Sequence, residues 1–139
     1  MNSRGPVADS GRLGFGRAFR LLRPQEFAAV FSARRTSRGT RFVLHYKENG
    51  LPHPRLGLVI PKKLARTAVL RNAIKRQARE AFRLNRPGLP AFDLVLRLVQ
   101  PVTLGEKSDW RVEIGELFGR FVTAGHKKPV ADGREGNSA

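Results

Sequence analysis

Between residues 62 and 86 the chain sets nine cations (Lys62, Lys63, Arg66, Arg71, Lys75, Arg76, Arg79, Arg83 and Arg86) against a single acid, Glu80. Lys brings a point charge that attracts phosphate, and Arg adds a flat fork of donors that matches phosphate oxygens in pairs. Arg71, Lys75 and Arg79 recur every four residues, so on a helix they stack on one side. Like charges so placed repel by roughly 0.2–0.5 kcal/mol per pair, a cost that an anion lying across them would reverse. A merely solvated charge run carries acids among its bases, and this one carries almost none. A membrane surface would demand a strongly apolar opposite face. Here that face is mostly Ala and Ile with one aromatic, which suits packing on a sheet. The chemistry open to this stretch is the binding of an RNA or DNA backbone.

Residues able to make or break bonds are sparse. The Ser and Thr residues have no nearby His to act as base, and His45, His53 and His126 are scattered without a carboxylate or second His at ligand spacing. With no Cys there is neither a disulfide framework nor a thiolate zinc site. One carboxylate cluster, Asp109, Glu113 and Glu116, falls on the last helix. A protein-only metal nuclease would need such convergent carboxylates. An acidic helix face that balances the basic helix is common and is the better explanation of them. From its residues alone, this chain binds and does not cut.

The elements that must position these residues follow from pattern. At about 100° per residue, Leu70, Ala73, Ile74, Ala78, Ala81 and Phe82 share one side of a helix. Arg71, Asn72, Lys75, Arg76, Arg79 and Arg83 share the other. Neither Gly nor Pro interrupts residues 66–86, so the helix opens at Arg66 or Thr67 and closes over Asn85 to Gly88. Ahead of it, Pro24, Glu26 and the spacing of Phe27, Val30 and Phe31 predict a short helix to about Arg34. Residues 41–47, 56–60 and 93–99 predict strands, with a weaker one over 36–40 and a turn at Asn49-Gly50. A last helix is expected to begin at Ser108 or Asp109 and to bury Trp110, Ile114, Leu117, Phe118 and Phe121. The order α-β-β-β-α-β-α predicts an α+β fold, a small α/β sandwich.

Composition sets the remaining bounds. The 139 residues, 40% hydrophobic, suffice for one domain with one modest core. Lys and Arg total 27 against 11 Asp and Glu, a formal charge of +16 that points to a polyanionic partner. No apolar run reaches the roughly 20 residues needed to span a bilayer, and the N-terminus lacks a secretory hydrophobic segment. A soluble, cytoplasmic protein is expected. Residues 1–19 and 125–139 read as flexible tails around a domain at 20–124.

One family matches these residues in order. Arg71-Asn72-Ala73-Ile74-Lys75-Arg76, followed by Arg79-Glu80-Ala81-Phe82-Arg83 and preceded by Lys62-Lys63, resembles the signature of the bacterial ribonuclease P protein component. Arg23-Pro24-Gln25-Glu26-Phe27 with Val30-Phe31, Arg41-Phe42-Val43-Leu44 and Arg55-Leu56-Gly57-Leu58 extend the resemblance over most of the chain. It departs from the family at four places. Ala73 stands where a second Arg is common, and Arg34 where a Gly commonly follows the first helix. His45 stands where a strand Tyr is common. Val99-Gln100 replaces a basic pair, for which Arg97 is the candidate substitute.

The resemblance implies a ribosomal-protein-like sandwich with a left-handed β-α-β crossover, an exception to the usual hand. It implies a catalytic RNA as partner and precursor tRNA as substrate, the 5′ leader being removed by the RNA with Mg2+. Arg66, Arg71, Asn72, Lys75, Arg76, Arg79 and Arg83 would dock on that RNA. Phe31, His45, Lys62, Lys63 and Arg97 would hold the single-stranded leader by stacking and charge. Two other classes stay open at this point. One is a ribosome-associated or other structured-RNA-binding module, and the other is the metal nuclease, with Glu113 and Glu116 at its centre.

Overall fold

The computed structural model describes residues 16–122. In chain order the elements are α1 (Pro24–Ser32), β1 (Thr36–Arg38), β2 (Phe42–Glu48), β3 (Arg55–Val59), α2 (Ala68–Asn85), β4 (Phe92–Leu98) and α3 (Lys107–Gly119). This is the expected order, with strand ends shifted by about one residue. The four strands form one sheet in the order β1-β2-β4-β3. β2 pairs antiparallel with both β1 and β4, β3 runs parallel to β4, and α2 connects that parallel pair.

Alternation along the strands divides the interior in two. Phe42, Leu44, Leu56, Leu94, Leu96 and Leu98 face α2 and α3 and join Leu70, Ile74, Phe82, Trp110, Ile114 and Phe118 in one cluster. The intervening residues face α1, where Leu21, Val30 and Val95 form a small buried cluster with Phe27, Phe31 and Val59 half-buried around it, and Val43 and His45 are buried on the same face. The sheet therefore lies between α1 on one side and α2 with α3 on the other. Ala73, at the edge of the apolar side of α2, packs half-buried against the larger cluster.

Local chemistry fixes the helix ends. Pro24 opens α1, and Glu26 Oε1 accepts from the amides of Leu22 (2.8 Å) and Arg23 (3.0 Å), which the first turn would otherwise leave unpaired. α1 stops two residues before Arg34, whose φ of +57° is a left-handed conformation that glycine adopts more readily. Thr67 Oγ1 caps α2 by accepting from the Leu70 amide at 3.1 Å. At the other end Asn85 Nδ2 donates to the Ala81 carbonyl at 2.8 Å, and Pro87 follows. The start of α3 differs from expectation. A 3-10 turn, Leu104–Glu106, leads directly into the helix at Lys107, and the Thr103 amide donates to Glu106 Oε1 at 2.9 Å. Thr103 with Glu106 three residues on is the capping pair, so Ser108 and Asp109 lie inside the helix rather than at its cap.

Two buried ionic groups tie distant elements together. Arg55 makes a paired contact to Asp93 (2.9 and 2.8 Å) and reaches Glu26 at 3.2 Å, while Asn49 Nδ2 donates to Asp93 at 3.0 Å. This network joins the first turn of α1 to β3 and β4. Glu113 of α3 accepts from the amides of Arg41 (2.7 Å) and Phe42 (2.8 Å) and from Arg41 Nη1 (3.1 Å). A Cβ on Gly39 would collide with that carboxylate, so the turn between β1 and β2 closes down on it. Glu113 thus balances Arg41 in this turn and not the basic helix, and Asp109 lies 3.7 Å from the same guanidinium.

Most of the expected tails, His126 included, lies outside the described residues. Residues 16–19 are described and carry fixed structure. Arg17–Phe19 form a 3-10 turn, and the Phe19 ring sits under the Arg86 guanidinium (3.9 Å) and beside His53 (4.9 Å). Next to it, Arg20 bridges to Leu56 and the Leu21 amide donates to the Leu56 carbonyl at 3.0 Å, covering the outer edge of β3. No helix among the described residues is long and apolar enough to cross a membrane.

Candidate nucleic-acid interface

α2 buries Leu70, Ile74, Ala78, Ala81 and Phe82, and this forces its cations outward. Asn72, Arg76 and Arg79 are exposed, Arg71, Lys75 and Arg83 half-buried, and Arg66 exposed just before the cap. They are not equivalent. Arg71 Nη1 donates to the Ala65 carbonyl at 3.0 Å, so its stem helps hold the turn before the helix. Arg83 is clasped by Glu80 at 2.6 and 3.1 Å, an exposed pair whose charges partly cancel. Lys75 and Arg79 instead line a groove with Arg20, floored by Leu21, Phe27, Leu56 and Gly57. Partial burial, and then the charge of Arg20, lower the Arg79 pKa from its ordinary value. Burial and Arg83 do the same to Arg86. Cations gathered on one face in this way give a positive potential that attracts an anion. Arg20, at the border of the expected tail, is a member of this group that the helical pattern did not reveal.

The opposite side of the sheet carries a second constellation. Register sets Arg38, Val43, Arg97 and Val59 in one row across β1, β2, β4 and β3, and Thr36, His45, Val95 and Gly57 in the next. α1 covers the second row. A Cβ on Gly57 would strike the Phe27 ring, so glycine there permits the close approach. Phe31 stands edge-on to His45 with ring centroids 4.7 Å apart, and Arg97 Nε donates to His45 Nε2 at 3.1 Å. Phe31, His45 and Arg97 are thus brought together at the margin of α1. Burial first, then Arg97 and Arg38, depress the His45 pKa from its ordinary 6.5, so the ring is neutral near pH 7. Arg38 is a further cation of this group. Its strand is only three residues long and too weak a pattern to have placed it.

Lys62 and Lys63, also expected here, are exposed where the chain has left β3, at the end of the sheet that holds Arg97. Lys63 lines a different groove, with Arg66, Thr67, Leu70, Pro101, Val102 and Leu104 beside the start of α2.

Among the described residues no three His, Asp or Glu side chains converge as a metal site. The Glu113 carboxylate is committed to three donors that a cation would have to displace.

Comparison with known proteins is consistent across sequence and structure. The family model described as Ribonuclease P matches residues 15–122. The chain is 48% identical over 114 residues to the ribonuclease P protein component of Azoarcus sp., covering 82% of this chain and 92% of the relative. It is 42% identical over 108 residues to that of Chromobacterium violaceum, covering 78% and 89%. Its fold resembles the RNase P protein of Staphylococcus aureus, with a TM-score of 0.62 and 28% identity over 76% of this chain and 93% of the other. It also resembles that of Thermotoga maritima, with a TM-score of 0.59 and 25% identity over 78% and 98%. The chain belongs to the bacterial ribonuclease P protein family, and its role is that of the ribonuclease P protein subunit.

Proposed function

We propose that this protein docks on the catalytic RNA of ribonuclease P through the outer face of α2 and holds the 5′ leader of precursor tRNA in the cleft beside α1. The RNA carries out the hydrolysis, with Mg2+ bound by that RNA, and the complex works in the cytoplasm. The observation that carries this reading is the separation of two different surfaces by the sheet. α2 offers Lys75, Arg76 and Arg79 with Arg20, a dense cationic face suited to the phosphates of a folded RNA. The cleft offers the Phe31 ring beside Arg97 and Arg38, a combination suited to a single strand with unstacked bases. An ordinary duplex or ribosomal contact would need only the first.

Reconstitution tests it. Cleavage of precursor tRNA is measured with protein alone, RNA alone and both, at low and high Mg2+. The expected result is cleavage at low Mg2+ only when both are present. Cleavage by the protein alone would instead establish a protein-only nuclease. Co-purification with ribosomal RNA, and no stimulation of the catalytic RNA, would establish a ribosome-associated module.

A further inference from the structure

His45, which departs from the family pattern, and Arg97, the candidate substitute for the basic pair missing at Val99-Gln100, meet in space. Arg97 Nε–H is a donor, so the facing Nε2 of His45 must be the unprotonated nitrogen and the ring proton sits on Nδ1. That Nδ1 is buried and has no hydrogen-bond partner among the described residues, and His45 as a whole is 8% exposed. A neutral histidine kept in this tautomer, with its other nitrogen unpaired, is costly to the fold unless the bond it accepts has a use. The bond fixes the guanidinium by its inner nitrogen. The two terminal nitrogens of Arg97 have no partner among the described residues and are not buried. They form a fork of the geometry that phosphate prefers. Arg38, on the same row of the sheet with Val43 between, adds a second positive charge across the cleft.

Resting on the leader-cleft reading above, we propose that His45 and Arg97 work as one unit. The neutral imidazole is a positioning residue that orients the Arg97 fork onto a single phosphodiester of the leader, next to the base that stacks on Phe31. This division of labour replaces the basic pair missing at Val99-Gln100. It also makes leader recognition acid-sensitive. The charged groups acting on His45 are Arg97 of β4 and Arg38 of β1, both cations, while α1 presents the Phe31 ring. These cations and burial favour the neutral ring, so the unit is intact above pH 6.5 and is lost only as pH falls below it. Protonation turns the acceptor into a donor facing Arg97 and drives the guanidinium away.

The test uses the reconstituted holoenzyme and the ratio of its affinities for leader-bearing precursor and mature tRNA. Wild type should show a preference for precursor that holds at pH 7.5 and declines only as the pH is taken below 6.5. His45→Leu should lower the preference about tenfold at pH 7.5, the loss of one charge-assisted hydrogen bond. Arg97→Lys should do the same, and the double variant should be no worse than either single one. His45→Gln, whose carbonyl can accept from Arg97 but does not titrate, should restore most of the preference and abolish its decline in acid. Replacing leader phosphates one at a time with methylphosphonate should weaken wild-type binding at one position and leave the Arg97→Lys complex unaffected there. Melting curves of each variant guard against simple unfolding. A full preference in His45→Leu, or single losses that multiply in the double variant, would overturn the unit while leaving the cleft. A wild-type holoenzyme with no preference for precursor at any pH would remove the cleft reading itself.

Discussion

Glu113→Ala removes a side chain that fastens α3 to the turn between β1 and β2. Three donors lose their acceptor: the amides of Arg41 and Phe42 and the Arg41 guanidinium. Phe42 is fully buried, so its amide cannot turn to water. An orphaned buried donor costs about 1–3 kcal/mol. Breaking a buried ion pair from one side costs about 3–5 kcal/mol, and Asp109 at 3.7 Å retains only a little of the attraction on Arg41. A total loss of about 3–5 kcal/mol is expected, or roughly 10–20 °C in melting temperature for a domain of this size. Glu113→Gln keeps a carbonyl oxygen for the two amides and gives up the charge, so about 1–2 kcal/mol should go. Urea unfolding followed by circular dichroism measures both, and cleavage by the reconstituted complex is assayed below the melting transition. The folded Ala variant should still support cleavage. A loss under about 1 kcal/mol, or Gln no better than Ala, would refute the pinning role. Abolished cleavage by a fully folded variant would return Glu113 to the chemistry.

Three further outcomes are expected. Arg71, Lys75 and Arg79 changed together to Ala leave the buried side of α2 intact, and the slope of log affinity for the catalytic RNA against log salt should shallow by about 2–3; an unchanged slope would place the main contact elsewhere. Arg34→Gly relieves a left-handed backbone at φ +57° and should raise stability by about 0.5–1 kcal/mol by chemical denaturation, with no gain counting against that strain. The Glu26 carboxyl is held below 4.5 by the amides of Arg23 and Leu22 and then by Arg55, so its contribution is present above that pH and is lost as pH falls through the lowered folded value. The stability gap between wild type and Glu26→Gln should accordingly narrow from pH 7 toward about pH 3, and a constant gap would contradict it.

What the sequence revealed follows the range over which each cause acts. The wheel of α2 placed its buried and basic faces residue by residue, because 3.6-residue periodicity is local. Strands rich in Val, Leu and Phe were legible for the same reason, and so was the Pro24–Glu26 start of α1. The Thr103–Glu106 cap is equally local, but Ser108 and Asp109 are also capping residue types and stand closer to Trp110, so pattern alone favours them. Glu113 could not be assigned to Arg41 from pattern, since the two are 72 positions apart and nothing near either marks the pairing. Arg38 and Arg20 entered their sites through sheet register and an edge bridge, neither of which a single strand encodes. The meeting of His45 with Arg97, 52 positions apart, is a product of the β2–β4 pairing alone.

The unequal division of apolar burial on the two sides of the sheet sets an order of opening. The buried apolar cluster under α2 and α3 numbers eighteen residues, whereas the one under α1 numbers three. Each large side chain buried contributes about 1.5–3 kcal/mol, so α1 is the layer least expensive to release and can separate without global unfolding. Amide hydrogens of α1 should exchange well before those of α2. The element proposed to grip the catalytic RNA then belongs to the most slowly opening part of the molecule, and the wall of the leader cleft to the most readily opened. On the proposed assignment, the hold on the leader would loosen while the grip on the catalytic RNA stays rigid.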